Sequence, residues 1–219
     1  MRKLIAFTLP MAVFLTLLGL TSPVNRPASS FAFPAYWTYP AQVMICGAIL
    51  WWFWRDYELH APLMVWFAIM IGIVVFLLWI APQQFLGFAP RLDGFDPELV
   101  GKGTALYWIT VILRFLRLVV VVPLLEEIFW RGFLLRYLIS EKFTAVKIGS
   151  FSWLSFIVVT LCFGFSHSRP DWVPALICGA LYNLVAYRTR SLTACVIAHA
   201  VTNLLLGLWI MQTRQWGFW

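Results

Sequence analysis

Apolar runs near residues 4–20, 36–54, 62–82, 104–139, 151–167, 172–187 and 192–212 dominate the chain, separated by short segments bearing Pro, Gly or charge. A bilayer-spanning helix needs about 20 mostly apolar residues, and backbone in lipid must satisfy its own hydrogen bonds. These runs therefore predict an all-α fold, a polytopic transmembrane bundle of about six to eight helices. Composition removes the soluble alternative: 62% of the 219 residues are hydrophobic and 11% charged, more apolar surface than a water-soluble domain of this size could cover. The run at 104–139 exceeds one simple span, and Arg114, Arg117 and Pro123 interrupt it, so a helix pair or a kinked helix is expected there.

Residues 1–20 open with Met-Arg-Lys and continue apolar without a small-residue cleavage site, which reads as a first transmembrane helix rather than a signal peptide. Rings clustered at run ends, Trp51, Trp52 and Trp54 or Trp216 and Trp219, fit interfacial aromatic belts. The longest polar connection, Gln83 to Lys102, carries Arg91, Asp93, Asp96 and Glu98 and is expected in water. With seven spans and a cytoplasmic amino terminus, Arg2, Lys3, Arg55, Arg136, Lys142, Lys147, Arg188 and Arg190 face the cytoplasm. Arg26, Arg91, Lys102, Arg169 and Arg214 face the other side, so the positive-inside rule favours this orientation and an outer carboxyl terminus. The net charge of +7 is scattered over short loops and forms no basic stripe, which argues against nucleic acid as a partner. Cys46, Cys162, Cys178 and Cys195 stand alone in apolar runs without CxxC spacing and read as small buried hydrophobes.

Three polar elements break the apolar pattern. Glu126-Glu127-Ile128-Phe129-Trp130-Arg131 places two carboxylates and a guanidinium inside a span, where each costs about 2.5–3.5 kcal/mol unless paired or hydrated. Four-residue spacing lets Glu127 neutralise Arg131 on one helix face, while Glu126 points about 100° away and stays free. Both acids could instead be structural partners of Arg131. Phe163-Gly164-Phe165-Ser166-His167 ends an apolar run on a histidine, which alone could be an interfacial polar tip. His199-Ala200-Val201-Thr202-Asn203 sets an imidazole and a carboxamide on one helix side, which alone could be packing glue.

In this order the elements resemble the motifs EExxxR, FxxxH and HxxxN of the CAAX-protease and bacteriocin-processing family, the intramembrane proteases related to type II CAAX prenyl endopeptidases. The aromatic ending is similar to the CAAX-protease-related proteins associated with bacterial exosortase systems. The resemblance covers roughly 104–212, so residues 104–219 are expected to form the catalytic helical core and residues 1–103 additional, family-variable helices. It implies an endopeptidase acting on a membrane-presented peptide or protein in a bacterial cytoplasmic membrane. A water held by Glu126 and His167 would attack, His199 and Asn203 would stabilise the oxyanion, and Glu127, Arg131 and Phe163 would support them. Low dielectric raises the proton affinity of a carboxylate, which suits a general base.

The resemblance implies no cofactor and no metal, although a glutamate with two histidines could also hold zinc. Two rival functions use the same residues: a noncatalytic peptide-binding or immunity protein, and a proton or ion transporter with a Glu/His relay. The transporter would be favoured by an internal repeat of interrupted helices, which the sequence lacks. Neither prenyl recognition nor any substrate identity is legible. The depths of His167 and His199 also fail to coincide on straight helices, so a kink at Pro123, a re-entrant piece or shifted helix boundaries are expected to reconcile them.

Overall fold

The computed structural model describes residues 1–19, 35–62, 64–91 and 94–219. Among these it forms seven helices and no strand. They are α1 (Arg2–Gly19), α2 (Ala35–Trp52), α3 (Val65–Phe85), α4 (Ala105–Tyr137), α5 (Trp153–Phe165), α6 (Trp172–Thr189) and α7 (Leu192–Thr213). α1, α3, α4 and α7 are long and apolar enough to cross a bilayer. Their outer faces expose residues such as Leu77, Ile112 and Leu208, which suits lipid and not water. The protein is an integral membrane protein.

Polar contacts tie the helix ends into two groups. At one end Arg2 Nε donates to Asp56 Oδ2 over 3.0 Å, Arg136 Nη1 to Glu58 Oε1 over 2.9 Å, and Thr193 Oγ1 to the His60 carbonyl over 2.7 Å. At the other, Gln83 and Gln84 donate to Gln215 Oε1 over 2.7 and 2.8 Å, and Arg91 Nε donates to Asp171 Oδ1 over 2.9 Å. The helices thus alternate in direction, and residues 2 and 215 lie at opposite ends.

The long central run does not divide into a helix pair. α4 is one continuous helix of 33 residues, about 50 Å of rise against a hydrocarbon core of about 30 Å. Two wide turns of π geometry, Arg117–Val121 and Ile128–Leu134, interrupt its regular α-helical winding around Pro123. The first turn prepares for Pro123, whose ring would clash with the carbonyl four residues earlier. Widening it lets Val122 N–H reach the Arg117 carbonyl instead.

One apolar core runs through the bundle, taking Phe7 from α1, Cys46 from α2, Val75 from α3, Leu125 and Ile128 from α4, Val159 from α5, Tyr182 from α6 and Ala198 from α7. Residues on both sides of position 103 therefore share it. α3 and α7 approach closely at Gly72, where an added Cβ would sit 2.5 Å from the Ala198 carbonyl oxygen. Three expectations need correction. Cys162 lies exposed on the outside of α5, while the other three cysteines are buried. Trp219 turns inward toward Phe95, Phe115 and Trp216 rather than standing in a belt. The 83–102 connection is not wholly in water, since Phe95 is buried against Tyr36. Arg26 and Asp93 lie outside the described residues.

Candidate active site

Glu127 and Arg131 meet as their spacing predicts, at 3.0 Å, and both are fully buried. Arg131 spends all three arms of its guanidinium: Nη1 on Glu127 Oε1, Nε on Asn183 Oδ1 at 3.1 Å, and Nη2 on the Gly179 carbonyl at 3.0 Å. Asn183 in turn donates to Thr160 Oγ1 over 3.1 Å. The charge also lies 4.9 Å from the centre of the Phe163 ring and 5.4 Å from that of Tyr182. One guanidinium thereby ties α4 to α6 and, through Thr160 and Phe163, to α5.

Glu127 has a second role that the spacing did not reveal. His199 Nδ1 lies 2.9 Å from the same Glu127 Oε1. A carboxylate can only accept, so Nδ1 carries the proton and Nε2 is turned away from the pair. Tyr182 stacks obliquely on the His199 ring at 5.1 Å. Its hydroxyl donates to Thr202 Oγ1 over 2.7 Å, and Thr202 donates to the Gly72 carbonyl over 2.8 Å, which fixes the imidazole between α6 and α3.

His167 is fixed by the end of α5. His167 N–H goes to the Gly164 carbonyl at 3.3 Å, so the Phe163 carbonyl receives no backbone donor from it. That carbonyl instead accepts from Ser166 Oγ at 2.8 Å and from His167 Nδ1 at 2.8 Å. A carbonyl also only accepts, so His167 carries its proton on Nδ1 and offers a lone pair at Nε2. The Phe163 ring packs against the imidazole at 4.9 Å and Trp79 closes its other side at 5.4 Å.

Asn203 answers an orphan created by Pro123. In the wide turn Val122 N–H bonds the Arg117 carbonyl, and the next residue, Pro123, has no N–H to give to Leu118. Asn203 Nδ2 supplies the missing donor, 2.8 Å from the Leu118 oxygen. An amide carries two N–H bonds, so one remains.

These residues meet at a cavity of about 330 Å³. Glu126, Phe163, His167, His199 and Asn203 line it, with Arg117, Tyr182 and Trp219 among its other walls, whereas Glu127 and Arg131 are sealed behind it. Glu126 makes no hydrogen bond or ion pair among the described residues and is half-buried. It shares the cavity wall with His167, and no hydrogen bond links the two. Shifted helix boundaries help the two histidines reach one cavity: α5 has only 13 residues, about 20 Å, and stops short of a full span. His199 sits about 10 Å along α7 from Leu192. No three His, Cys, Asp or Glu side chains among the described residues form a set that could hold a metal ion.

Sequence reasoning missed the Glu127–His199 contact, the Leu118 carbonyl and the cavity face of Arg117. Asn183, a lone polar residue in an apolar run, was the available signal for the Arg131 network. The sequence model of one family, described as Type II CAAX prenyl endopeptidase Rce1-like, matches residues 107–205. No curated protein and no solved structure matches the chain.

Proposed function

We propose that the protein is an intramembrane endopeptidase whose cavity hydrolyses a peptide bond of a membrane-presented substrate, a reading supported by the match of residues 107–205 to the family model described as Type II CAAX prenyl endopeptidase Rce1-like. The observation that carries this reading is the sorting of six polar residues. Glu126, His167, His199 and Asn203 line one cavity, and Glu127 and Arg131 are sealed behind it.

The chemistry follows from which atoms remain free. Glu126 makes no hydrogen bond or ion pair among the described residues, so its carboxylate is available to a water, and the His167 Nε2 lone pair can hold that water within the same cavity. As the water oxygen bonds the substrate carbonyl carbon, Glu126 takes its proton and then gives it to the leaving amine. Negative charge grows on the carbonyl oxygen. The remaining N–H of Asn203 can meet it, and His199 can do so through Nε2 when doubly protonated, with the Glu127 carboxylate balancing the charge at Nδ1. No step needs a metal. The bacterial cytoplasmic membrane and the orientation with residue 2 in the cytoplasm belong to the same proposal, supported by the positive charge gathered at that end.

The test is cleavage of a membrane-anchored peptide by the purified full chain in lipid nanodiscs, with products identified by mass spectrometry. New termini in the wild-type reaction, absent with Glu126→Gln, support the reading. Wild-type rates of cleavage with Glu126→Gln contradict it.

A further inference from the structure

Arg114 and Arg117 lie one turn apart on α4, both buried, and neither has a carboxylate within ion-pairing distance among the described residues. Arg114 packs its guanidinium 4.1 Å from the centre of the Tyr39 ring and 5.5 Å from those of Phe95 and Trp219. Its Nε and Nη1 are sealed from solvent and lack a hydrogen-bond partner among the described residues. Arg117 stacks on the same Tyr39 at 4.4 Å and donates Nε to Gln42 Oε1 over 2.6 Å. Its two Nη atoms have no acceptor among the described residues, and the side chain lines the cavity that holds Glu126.

A guanidinium stays charged at any working pH, so this charge must be met by something. Arg136 apart, which pairs with Glu58, the buried arginines of α4 are Arg114, Arg117 and Arg131, three cations against the helix's two carboxylates, Glu126 and Glu127. Arg131 takes Glu127. Asp171, which also lines the cavity, is held by Arg91. On α4 that leaves Glu126 as the one carboxylate against Arg114 and Arg117, one positive charge over within this helix, a surplus that grows whenever Glu126 holds a proton.

The geometry points to an oxoanion subsite at Arg117, with Arg114 adding its charge from behind, that binds a carboxylate of the peptide substrate. This deepens the endopeptidase reading and rests on it for the identity of the occupant. The free end of Arg117 is a planar fork that matches a carboxylate. A lipid headgroup fits less well. Arg117 is buried about 18 Å along α4 from Ala105 and opens on the cavity that holds Glu126, not on the outer face of the bundle. Arg117 and Glu126 share one cavity nine positions apart on α4, about 13 Å of rise, a span that about four extended residues would bridge. The carboxylate can be the peptide's terminus or an Asp or Glu side chain.

Binding is the direct test, because it does not depend on turnover. A fluorescent membrane-anchored peptide is prepared with a terminal acid or amide, and with an internal Glu or Gln, and titrated by anisotropy against the full chain carrying Glu126→Gln. At least one acid form should bind about tenfold tighter than its neutral twin, and the member of the pair that matters identifies the source. Arg117→Gln should collapse that ratio toward unity, and Arg117→Lys should keep part of it. Equal binding of acid and neutral forms overturns the subsite, as does a preference that survives Arg117→Gln. A thermal shift on Arg117→Gln seen only in phosphatidylglycerol nanodiscs, with acid and neutral peptides alike, assigns the charge to a lipid phosphate and also overturns it. Carboxylate selectivity without any wild-type cleavage would sink the endopeptidase reading alone, and cleavage without selectivity would sink the subsite alone.

Discussion

Asn203 sits at the point where packing and chemistry share one side chain. One amide hydrogen serves the Leu118 carbonyl, the other has no acceptor among the described residues, and the side chain lines the cavity. Asn203→Ala should therefore lower kcat by about 100-fold with little change in KM, because an oxyanion donor acts mainly in the transition state. It should also destabilise by about 1–3 kcal/mol through the orphaned carbonyl. Turnover and thermal melting on the same preparation check both, and an effect confined to KM would make Asn203 a binding residue. The spacing of Glu127 to Arg131, and of His199 to Asn203, was legible because helix periodicity is a local rule. The Glu127–His199 contact joins residues 72 positions apart, and no periodicity reaches that far. Arg117 read as an interruption of an apolar run for the same reason: its polarity was visible, but the cavity beside it was not.

The element that carries most of the site is α4, and its wide turns make a prediction of their own. Pro123→Ala would return a backbone N–H near the Leu118 and Val119 carbonyls, offering Leu118 a donor other than Asn203. The stability lost on Asn203→Leu should accordingly be smaller in the Pro123→Ala background than in the wild type, a coupling of about 0.5–3 kcal/mol in a double-mutant cycle. Strict additivity would mean that the proline does not create the orphan. Helix contacts outside α4 are equally exposed to test. Gly72→Ala forces a methyl against the Ala198 carbonyl and the Val201 side chain. Overpacking of this kind costs about 1–3 kcal/mol, and separating α3 from α7 would also strain the Thr202 bond to the Gly72 carbonyl. A Gly72→Ala chain with an unchanged melting temperature would contradict the close approach. Helix number was legible from the apolar runs. The continuity of α4 was not, because Pro and Arg inside an apolar run look alike whether the helix breaks or widens, and a π turn leaves no mark in a 3.6-residue pattern.

At the scale of the whole bundle, the cavity draws walls from α1, α3, α4, α5, α6, α7 and the segment after α7. Chemistry built on Glu126 and His167 alone predicts that turnover persists after exhaustive chelation; loss of activity restored by stoichiometric zinc would assign the water to a metal instead. The central claim is the division of labour between adjacent glutamates, one facing the cavity and one sealed behind it. Its sharpest test measures peptide cleavage and melting temperature side by side for Glu126→Gln and Glu127→Gln in the full chain. Glu126→Gln should abolish cleavage with the melting temperature nearly unchanged. Glu127→Gln should lower both, since it orphans the buried Arg131 at a cost of about 3–5 kcal/mol and releases His199, and adding Arg131→Met should restore part of the stability but not the cleavage. An active Glu126→Gln chain, paired with a well-folded but inactive Glu127→Gln chain, would contradict the assignment and exchange the two roles.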